Sequence, residues 1–400
     1  MNAFSSNQTF LMALDQWYQA HLLPLADKEH AIFDDWLTEF SGPLIIYGAG
    51  GLGQKLARGL QLEGIRVDAF CDGNPALHQT VLHGIPVESP TDAVRRAGKT
   101  GGFLIATWSL GREVWNSEIQ TTLRQLGAEK TLFFTAPFWK YPERFLPHYR
   151  IDLPSRMVES FSMIRQAAAL MEDEESRHEF LTQLKMLATT TFDEISYRTD
   201  GDTYFPADLV VPDAAEAFVD CGAYDGDTLQ SLLRVAGGTI AHYWGFEPDA
   251  ANLTVLTTNV RALHEAGSIG TAEVYPFAVS NENGTVSFSA TGGVDAKITP
   301  LGDTVVECRR LDDLLGAAVP TFIKMDIEGA ELSAIDGCAD VIRAHEPTCA
   351  VCIYHLQAHL WSIPLRLKAL VPDHKFHLRA HAATADIVCY AVPRQCSQRA

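Results

Sequence analysis

Asp220-Cys221-Gly222-Ala223-Tyr224-Asp225-Gly226-Asp227-Thr228, followed one strand–helix–strand later by Phe246-Glu247-Pro248-Asp249, is the stretch that decides the fold. Ala217-Phe218-Val219 ahead of it is a short apolar run and reads as a buried strand. Gly222 and Gly226 fall in the turn that follows, where a missing side chain lets a ligand approach the backbone. From Thr228 to Val235 apolar residues recur at helical spacing, so the turn opens into a helix. Glu247 closes the next strand, Tyr243 to Phe246, and a carboxylate there can accept both hydroxyls of a ribose. Extra carboxylates and the lack of Lys or Arg in the loop argue against a diphosphate ligand. A cationic, ribose-bearing cofactor fits better, and S-adenosylmethionine is the leading candidate.

Strands and helices alternate from about Glu216 to Val392. Later strands are expected at Glu273–Phe277, Thr285–Ser289, Thr321–Ile327, Cys349–Tyr354, Lys375–Arg379 and Asp386–Val392. Helices are expected at Asp249–Glu265, Ala330–Arg343 and Leu360–Leu370. The alternation implies a largely parallel sheet covered on both faces. Only His381 to Ala385 separates the last two strands, too little for a parallel crossover, so they must pair antiparallel. A parallel sheet closing in one antiparallel hairpin is the class I methyltransferase arrangement.

Residues 204 to 392 also resemble the FkbM family of methyltransferases. The likeness runs through Tyr204-Phe205, the Asp220–Thr228 loop, Phe246-Glu247-Pro248, Ala278-Val279-Ser280 and Leu311-Asp312-Asp313-Leu314. It is densest at Phe322-Ile323-Lys324-Met325-Asp326-Ile327-Glu328-Gly329-Ala330-Glu331. The resemblance implies O-methylation of a hydroxyl on a sugar, glycan precursor or secondary metabolite. It places Asp220, Gly222, Ala223, Tyr224 and Asp225 around the methionine moiety, with Thr228 in the same loop. Glu247 would hold the ribose, Pro248 the adenine edge, and Ala278 and Val279 the adenine ring.

Asp326 and Glu328 end the fourth strand, beside the reacting group in this architecture. Two carboxylates there can position an acceptor hydroxyl, take its proton or hold a divalent cation. Glu328 and Glu331 also read as carboxylates favouring a helix amino terminus. No metal is expected, because a third oxygen ligand is not identifiable. Lys324 is a candidate catalytic cation or a partner for a neighbouring carboxylate. His355, at the end of the fifth strand, has a near-neutral side chain suited to proton abstraction. Family members often carry Lys-Pro-Glu-Asp after this His, where this chain has Leu356-Gln357-Ala358-His359. That departure bears on acceptor specificity.

The chain has 400 residues, which favours two domains. Residues 1–42 read as a helical amino-terminal segment and 141–200 as a helical linker, with Met157–Leu170 and His178–Leu187 as its helices. Between them, residues 43–140 form a Rossmann-like unit, so the class is α/β with two doubly wound domains, the second being 201–395. Gly48-x-Gly50-x-x-Gly53 follows a strand and opens a helix, and Asp72 lies about 20 residues on, the dinucleotide fingerprint in context. Phe70-Cys71-Asp72-Gly73-Asn74 and Gly84-Ile85-Pro86-Val87 resemble the small domain preceding some sugar O-acyltransferases. That implies a nucleotide or nucleotide-sugar ligand. An NAD(P)-type oxidoreductase and a non-catalytic nucleotide-sugar binding protein are the alternatives to a methyltransferase, and a degenerate unit kept for packing or oligomer contacts is the alternative to a second site.

A formal charge of −19 speaks against nucleic acid, which needs a Lys/Arg surface. No apolar stretch approaches the ~20 residues of a membrane span, and Met1 to Asp15 lacks the pattern of a secretory signal. The cysteines sit mostly in apolar strands, as buried thiols of a reducing compartment do, so a cytoplasmic location is expected. The expected partner is a small-molecule or glycan acceptor, and self-association stays open.

Overall fold

Short apolar runs punctuated by glycines build two parallel sheets in series. In the computed structural model, residues 6–107, 116–189, 198, 202–289, 297–298, 302, 304–316, 318–381 and 386–394 are described. The hairpin loop 382–385 and parts of the 141–200 segment lie outside those residues.

The amino-terminal sheet contains β1 (Leu44–Tyr47), β2 (Ala69–Cys71), β3 (Val81–Leu82), β4 (Ile85–Glu88), β5 (Gly102–Ile105) and β6 (Lys130–Phe133). Their spatial order is β3-β4-β2-β1-β5-β6, parallel except for the β3–β4 pair. Ile45, Ala69, Phe103 and Ile105 bury one face and Leu44, Ile46, Phe70 and Leu104 the other, as period-2 alternation in a two-sided sheet demands.

The carboxy-terminal unit opens with β7 (Ala217–Cys221), β8 (Ile240–Phe246) and β9 (Ile269–Tyr275). A four-stranded annex follows, made of β10 (Ala278–Val279), β11 (Gly284–Ser289), β12 (Lys297–Ile298) and β13 (Thr304–Arg309). The main sheet then resumes with β14 (Phe322–Met325), β15 (Thr348–Cys352), β16 (Lys375–His381) and β17 (Asp386–Val392), in the order β16-β17-β15-β14-β7-β8-β9. β16 and β17 are antiparallel, from Lys375 opposite Val392 to His381 opposite Asp386. The strand expected at Thr285–Ser289 exists, but it leaves the main sheet for the annex. Only a few residues join β10 to β11, too few for a crossover, so β11 turns back along β13. The expected helices Met157–Leu170 and Ala330–Arg343 are each broken in two, at Ser160 and at Gly337–Cys338.

The outer elements cross between the two sheets. Helix Asn7–Trp17 is capped by Ser6, whose Oγ accepts the Thr9 N–H at 3.1 Å. Its stripe of Phe10, Leu14 and Trp17 is buried in the core of the carboxy-terminal unit, with Ile164 and Leu184. Helix Ile32–Leu37 instead places Phe33 and Trp36 in the amino-terminal core. Helix Glu174–Thr189 lies along β16, where Ser176 Oγ accepts the Leu378 N–H at 2.9 Å and Glu172 N–H donates to the Phe376 carbonyl at 3.0 Å. That segment covers the sheet's outer edge, which would otherwise present unpaired strand groups. Among the described residues, no helix is long and apolar enough to cross a membrane.

Candidate active site

Strand order reverses between β7 and β14, and ligands of open α/β sheets bind beyond the carboxyl ends of strands at that point. A cavity of about 400 Å³ lies there. The loop after β7 supplies Gly222, Tyr224, Asp227 and Thr228; β8 and its loop supply Phe246, Glu247 and Pro248. Phe277, Ala278 and Val279 form another wall, and Lys324, Asp326 and Glu328 the floor.

Gly222 has φ +78°, and a Cβ built on it would sit 2.0 Å from the Asp326 carbonyl oxygen. Glycine is therefore required where the two central strand ends meet. Its N–H and that of Ala223 donate to the Phe246 carbonyl at 3.0 and 3.1 Å, tying the loop to β8. Glu247 Oε2 accepts the Tyr224 N–H at 3.0 Å and Oε1 the Asp249 N–H at 2.8 Å. Burial raises the Glu247 pKa, and those two backbone donors offset part of the rise. Tyr224 holds φ +49°, a left-handed conformation uncommon outside glycine.

Asp220 does not reach the cavity. It is fully buried, and the register of β7 and β14 places it opposite Lys324. Its Oδ1 lies 3.1 Å from Lys324 Nζ, and its Oδ2 accepts from Tyr243 Oη at 3.2 Å. Burial raises the Asp220 carboxyl above its ordinary range, with Lys324 pulling it back. Burial likewise opposes the Lys324 charge, but Asp220 and then Asp326 outweigh it and hold the ammonium above its usual pKa. Lys324 Nζ also donates to the Gly222 carbonyl at 2.6 Å and lies 5.2 Å from the Tyr204 ring centre. The expected methionine contact at Asp220 is thus replaced by a strap under the glycine turn. Ala223 is buried, and Asp225 Oδ1 accepts the Asp227 N–H at 3.1 Å; neither lines the cavity.

Asp326 is held by two phenols: Tyr204 Oη donates to Oδ2 at 2.7 Å and Tyr354 Oη to Oδ1 at 3.3 Å. Behind it stands His355, only 5% exposed and absent from the cavity wall. Its Nδ1 meets Glu331 Oε1 at 2.8 Å, while Nε2 lies 3.4 Å from Asp326 Oδ1 and 3.3 Å from Glu328 Oε1. Glu331 Oε1 also accepts the Ile327 and Gly329 N–H groups at 3.0 and 3.3 Å. Burial pushes the Glu331 carboxyl up, but His355 and His359 outweigh it and hold it well below the usual range. For His355, burial disfavours the charge, yet Glu331, then Glu328 and Asp326, raise its pKa well above that of an ordinary imidazole. These carboxylates favour the charged ring and so work against the near-neutral base expected from the sequence. Glu328 reaches it from a left-handed backbone at φ +56°, a strain that concentrates at functional sites.

The motif-bearing loops meet in one cavity, and residues 220–378 match the family model described as the methyltransferase FkbM domain. The chain carries an FkbM methyltransferase domain. The crystal structure of methyltransferase FkbM from Methylobacillus flagellatus KT is similar over 95% of this chain and 100% of that one, with TM-score 0.76 and 24% identity. The likeness shows that the fold of both units recurs together. UDP-D-quinovosamine 4-dehydrogenase from Vibrio fischeri is similar over 23% of this chain and 77% of that one, at 24% identity and TM-score 0.19. No curated protein matches the chain.

In the FkbM domain, sequence reasoning missed Asp227, Asn252, Phe277 and Phe288 on the cavity wall. Phe277 directly precedes Ala278, and Asp227 belongs to the quoted loop, so adjacency was the available signal. Glu331 read as a helix carboxylate, and its hold on His355 needed the fold to be seen. Outside the FkbM domain, Gly48 and Gly50 lie in the turn between β1 and helix Gly51–Leu62, and Gly53 in the first turn of that helix. A Cβ on Gly53 would lie 1.8 Å from the Gly48 carbonyl oxygen, so close packing of the turn on its helix requires that glycine. Asp72 Oδ2 accepts the Ala49 N–H and Oδ1 the Asn74 N–H, both at 2.8 Å. That carboxylate is engaged in shaping its own loop.

Proposed function

We propose that this methyltransferase uses S-adenosylmethionine to methylate a hydroxyl oxygen, of a sugar, glycan precursor or secondary metabolite. The observation that carries the cofactor reading is Glu247. Each of its oxygens accepts one backbone N–H, leaving a lone pair apiece for two vicinal hydroxyls at the cavity wall. Phe246, Pro248, Ala278 and Val279 supply the apolar surface an adenine needs, and among the described residues no cationic side chain beyond Lys324, engaged with Asp220, lines the wall to favour phosphate.

When bound, the cofactor supplies an already activated methyl group. The chain's own task is alignment and proton acceptance. The strap of Lys324 and Asp220 fixes the Gly222 turn. Tyr204 and Tyr354 hold Asp326 at the floor, where it and Glu328 face an acceptor hydroxyl and can take up its proton. The aromatic walls at Tyr204, Tyr224 and Tyr354 suit an acceptor that presents a ring face. We place the reaction in the cytoplasm, a reading supported by the buried, unpaired thiols of the described cysteines.

Calorimetry with S-adenosylhomocysteine tests the donor, and Glu247→Ala should abolish binding. Asp326→Asn should keep that affinity while turnover of labelled methyl into a panel of hydroxylated acceptors falls. Binding of a reduced nicotinamide cofactor to the wild-type protein, without binding of S-adenosylhomocysteine, would overturn the proposal.

A further inference from the structure

The cavity floor carries more negative charge than methyl transfer consumes. Asp326, Glu328 and Asp386 line the same cavity, and among the described residues Lys324 is the sole cation on its wall. Lys324 is already held by Asp220 at 3.1 Å. Burial, and then Asp326, Asp386 and Glu328 among its neighbours, raise the Tyr354 phenol far above its usual pKa, so the three carboxylates surround one point of the floor. The cations behind the floor do not balance them. His355 Nδ1 meets Glu331 Oε1 at 2.8 Å, closer than its Nε2 comes to Asp326 or Glu328, at 3.4 and 3.3 Å. One imidazole shared in this way cannot neutralise Glu331, Asp326 and Glu328 together. His359 sits on the far oxygen of Glu331 at 3.2 Å, away from the wall. Arg150 is buried with its guanidinium 5.8 Å from the Tyr354 ring centre, off the cavity wall, and its charge acts on Asp386.

Methyl transfer accounts for one of the two remaining carboxylates. As the C–O bond forms and the S–C bond breaks, the bonding pair returns to sulfur and the hydroxyl proton passes to a carboxylate. One positive and one negative charge disappear together, so that carboxylate is matched by the donor. The second is charged before and after the step and calls for a positive partner on the acceptor. Asp326, fixed by the Tyr204 and Tyr354 phenols at 2.7 and 3.3 Å, is the oriented proton acceptor. Among the described residues no phenol donates to Glu328, which reaches the cavity from its left-handed backbone and keeps lone pairs for a ligand. The rings are a second, independent sign of a cation. Tyr204, Tyr224 and Tyr354 line the same cavity, and aromatic faces attract ammonium groups.

We propose that the acceptor is a hydroxylated ring bearing a protonated amine, an amino sugar or aminocyclitol, whose ammonium is bound by Glu328. The proposal rests on the methyl-transfer reading and narrows its acceptor. The same charge works against phosphorylated, nucleotide-activated and uronic-acid rings, which bring further anions to an acidic floor.

The test measures binding to the full chain by saturation-transfer NMR and calorimetry, with and without S-adenosylhomocysteine, at about pH 6.5, where the probes' amines are charged. The probes are glucosamine, galactosamine and deoxystreptamine, each against its hydroxyl counterpart glucose, galactose or inositol, with the phosphate ester of glucosamine as the anionic control. At least one amine should bind about 10-fold or more tightly than its hydroxyl counterpart, and the phosphate ester should lose that gain. Glu328→Gln should cut the preference to about 3-fold or less while leaving the affinity for S-adenosylhomocysteine unchanged. Glu307→Gln, an exposed carboxylate in the annex, should leave the preference intact. Equal affinity within every pair, no binding of any amine up to about 100 mM, tighter binding of the phosphate ester, or a preference that survives Glu328→Gln overturns the proposal. The wild-type comparison decides even if a variant fails to fold. S-adenosylhomocysteine binding without an amine preference sinks this proposal alone, and an amine preference without S-adenosylhomocysteine binding sinks the donor reading.

Discussion

Lys324→Met removes one half of the buried pair that lies between the two central strands. At the 3.1 Å separation of Lys324 and Asp220, and with an effective dielectric constant of about 20, the attraction is about 5 kcal/mol before desolvation is counted. Methionine fills similar space, but it leaves the Asp220 carboxylate buried with Tyr243 as its remaining hydrogen-bond donor. Breaking such a pair from one side costs roughly 3–5 kcal/mol. The expected result at pH 8 is therefore a fall in Tm on the order of 10 °C for the unit that contains it. The loss should depend on pH. Without Lys324 the folded-state pKa of Asp220 rises further above its unfolded value, so destabilisation is small at low pH and grows as pH rises through the folded pKa. Adding Asp220→Asn should restore much of the stability, since no buried charge is then left alone. Differential scanning calorimetry of the two single variants and the double, at pH 5 and pH 8, reads all of this. A Lys324→Met protein within about 1 kcal/mol of wild type at pH 8, or purely additive effects in the cycle, would refute the strap.

Gly222→Ala meets two obstacles: about 1–2 kcal/mol for a left-handed alanine, and the Asp326 carbonyl 2.0 Å from the new Cβ. The loop and the β14 end must part, so affinity for S-adenosylhomocysteine should fall at least about 10-fold by calorimetry; unchanged affinity would show the turn to be unimportant. Away from the cavity, burial pushes the Glu179 carboxyl up to about 7, where Gln183 Nε2 donates to it at 2.6 Å. Its folded pKa exceeds its unfolded one, so stability is lost as pH rises from about 4.5 to 7, by about 3 kcal/mol. Burial, with Arg198 and Arg379, lowers His381 to about 4, so its contribution is lost as pH falls from about 6.5 through that value. The two slopes oppose one another between about pH 4.5 and 6.5. Glu179→Gln should raise stability at pH 8 and uncover the His381 slope on the acid side. Denaturant midpoints at pH 5, 6.5 and 8 check this, and no gain at pH 8 would remove Glu179 as the cause.

Elements whose information is local were legible in the sequence. The Asp220–Thr228 turn, the Glu247 strand end and the final hairpin each depend on a few adjacent residues, and they lie where spacing and turn chemistry put them. Asp220 was harder because its partner lies on a strand distant in sequence, and only the β7–β14 register reveals that Lys324 faces it. His355 illustrates the same limit. Residue type suggests a near-neutral base, whereas its ionisation is set by Glu331, Glu328 and Asp326, which the fold gathers around it. The annex was misread because Thr285–Ser289 has a strand's alternation whichever sheet it joins. The destination of the first helix was not legible either, since an apolar stripe specifies burial and not the partner.

That first helix has a consequence for the order of events on the ribosome. Phe10, Leu14 and Trp17 emerge at the outset, but Ile164 and Leu184 are made only after the whole intervening sheet. At ordinary synthesis rates of about 5–20 residues per second, the stripe waits roughly 10–30 s for its surface. A growing chain must shield it, by transient helix contacts or by a chaperone. For the same reason, residues 141–395 expressed alone would begin life with the surface around Ile164 and Leu184 uncovered, and a separately supplied peptide spanning residues 6–26 should help to solubilise them.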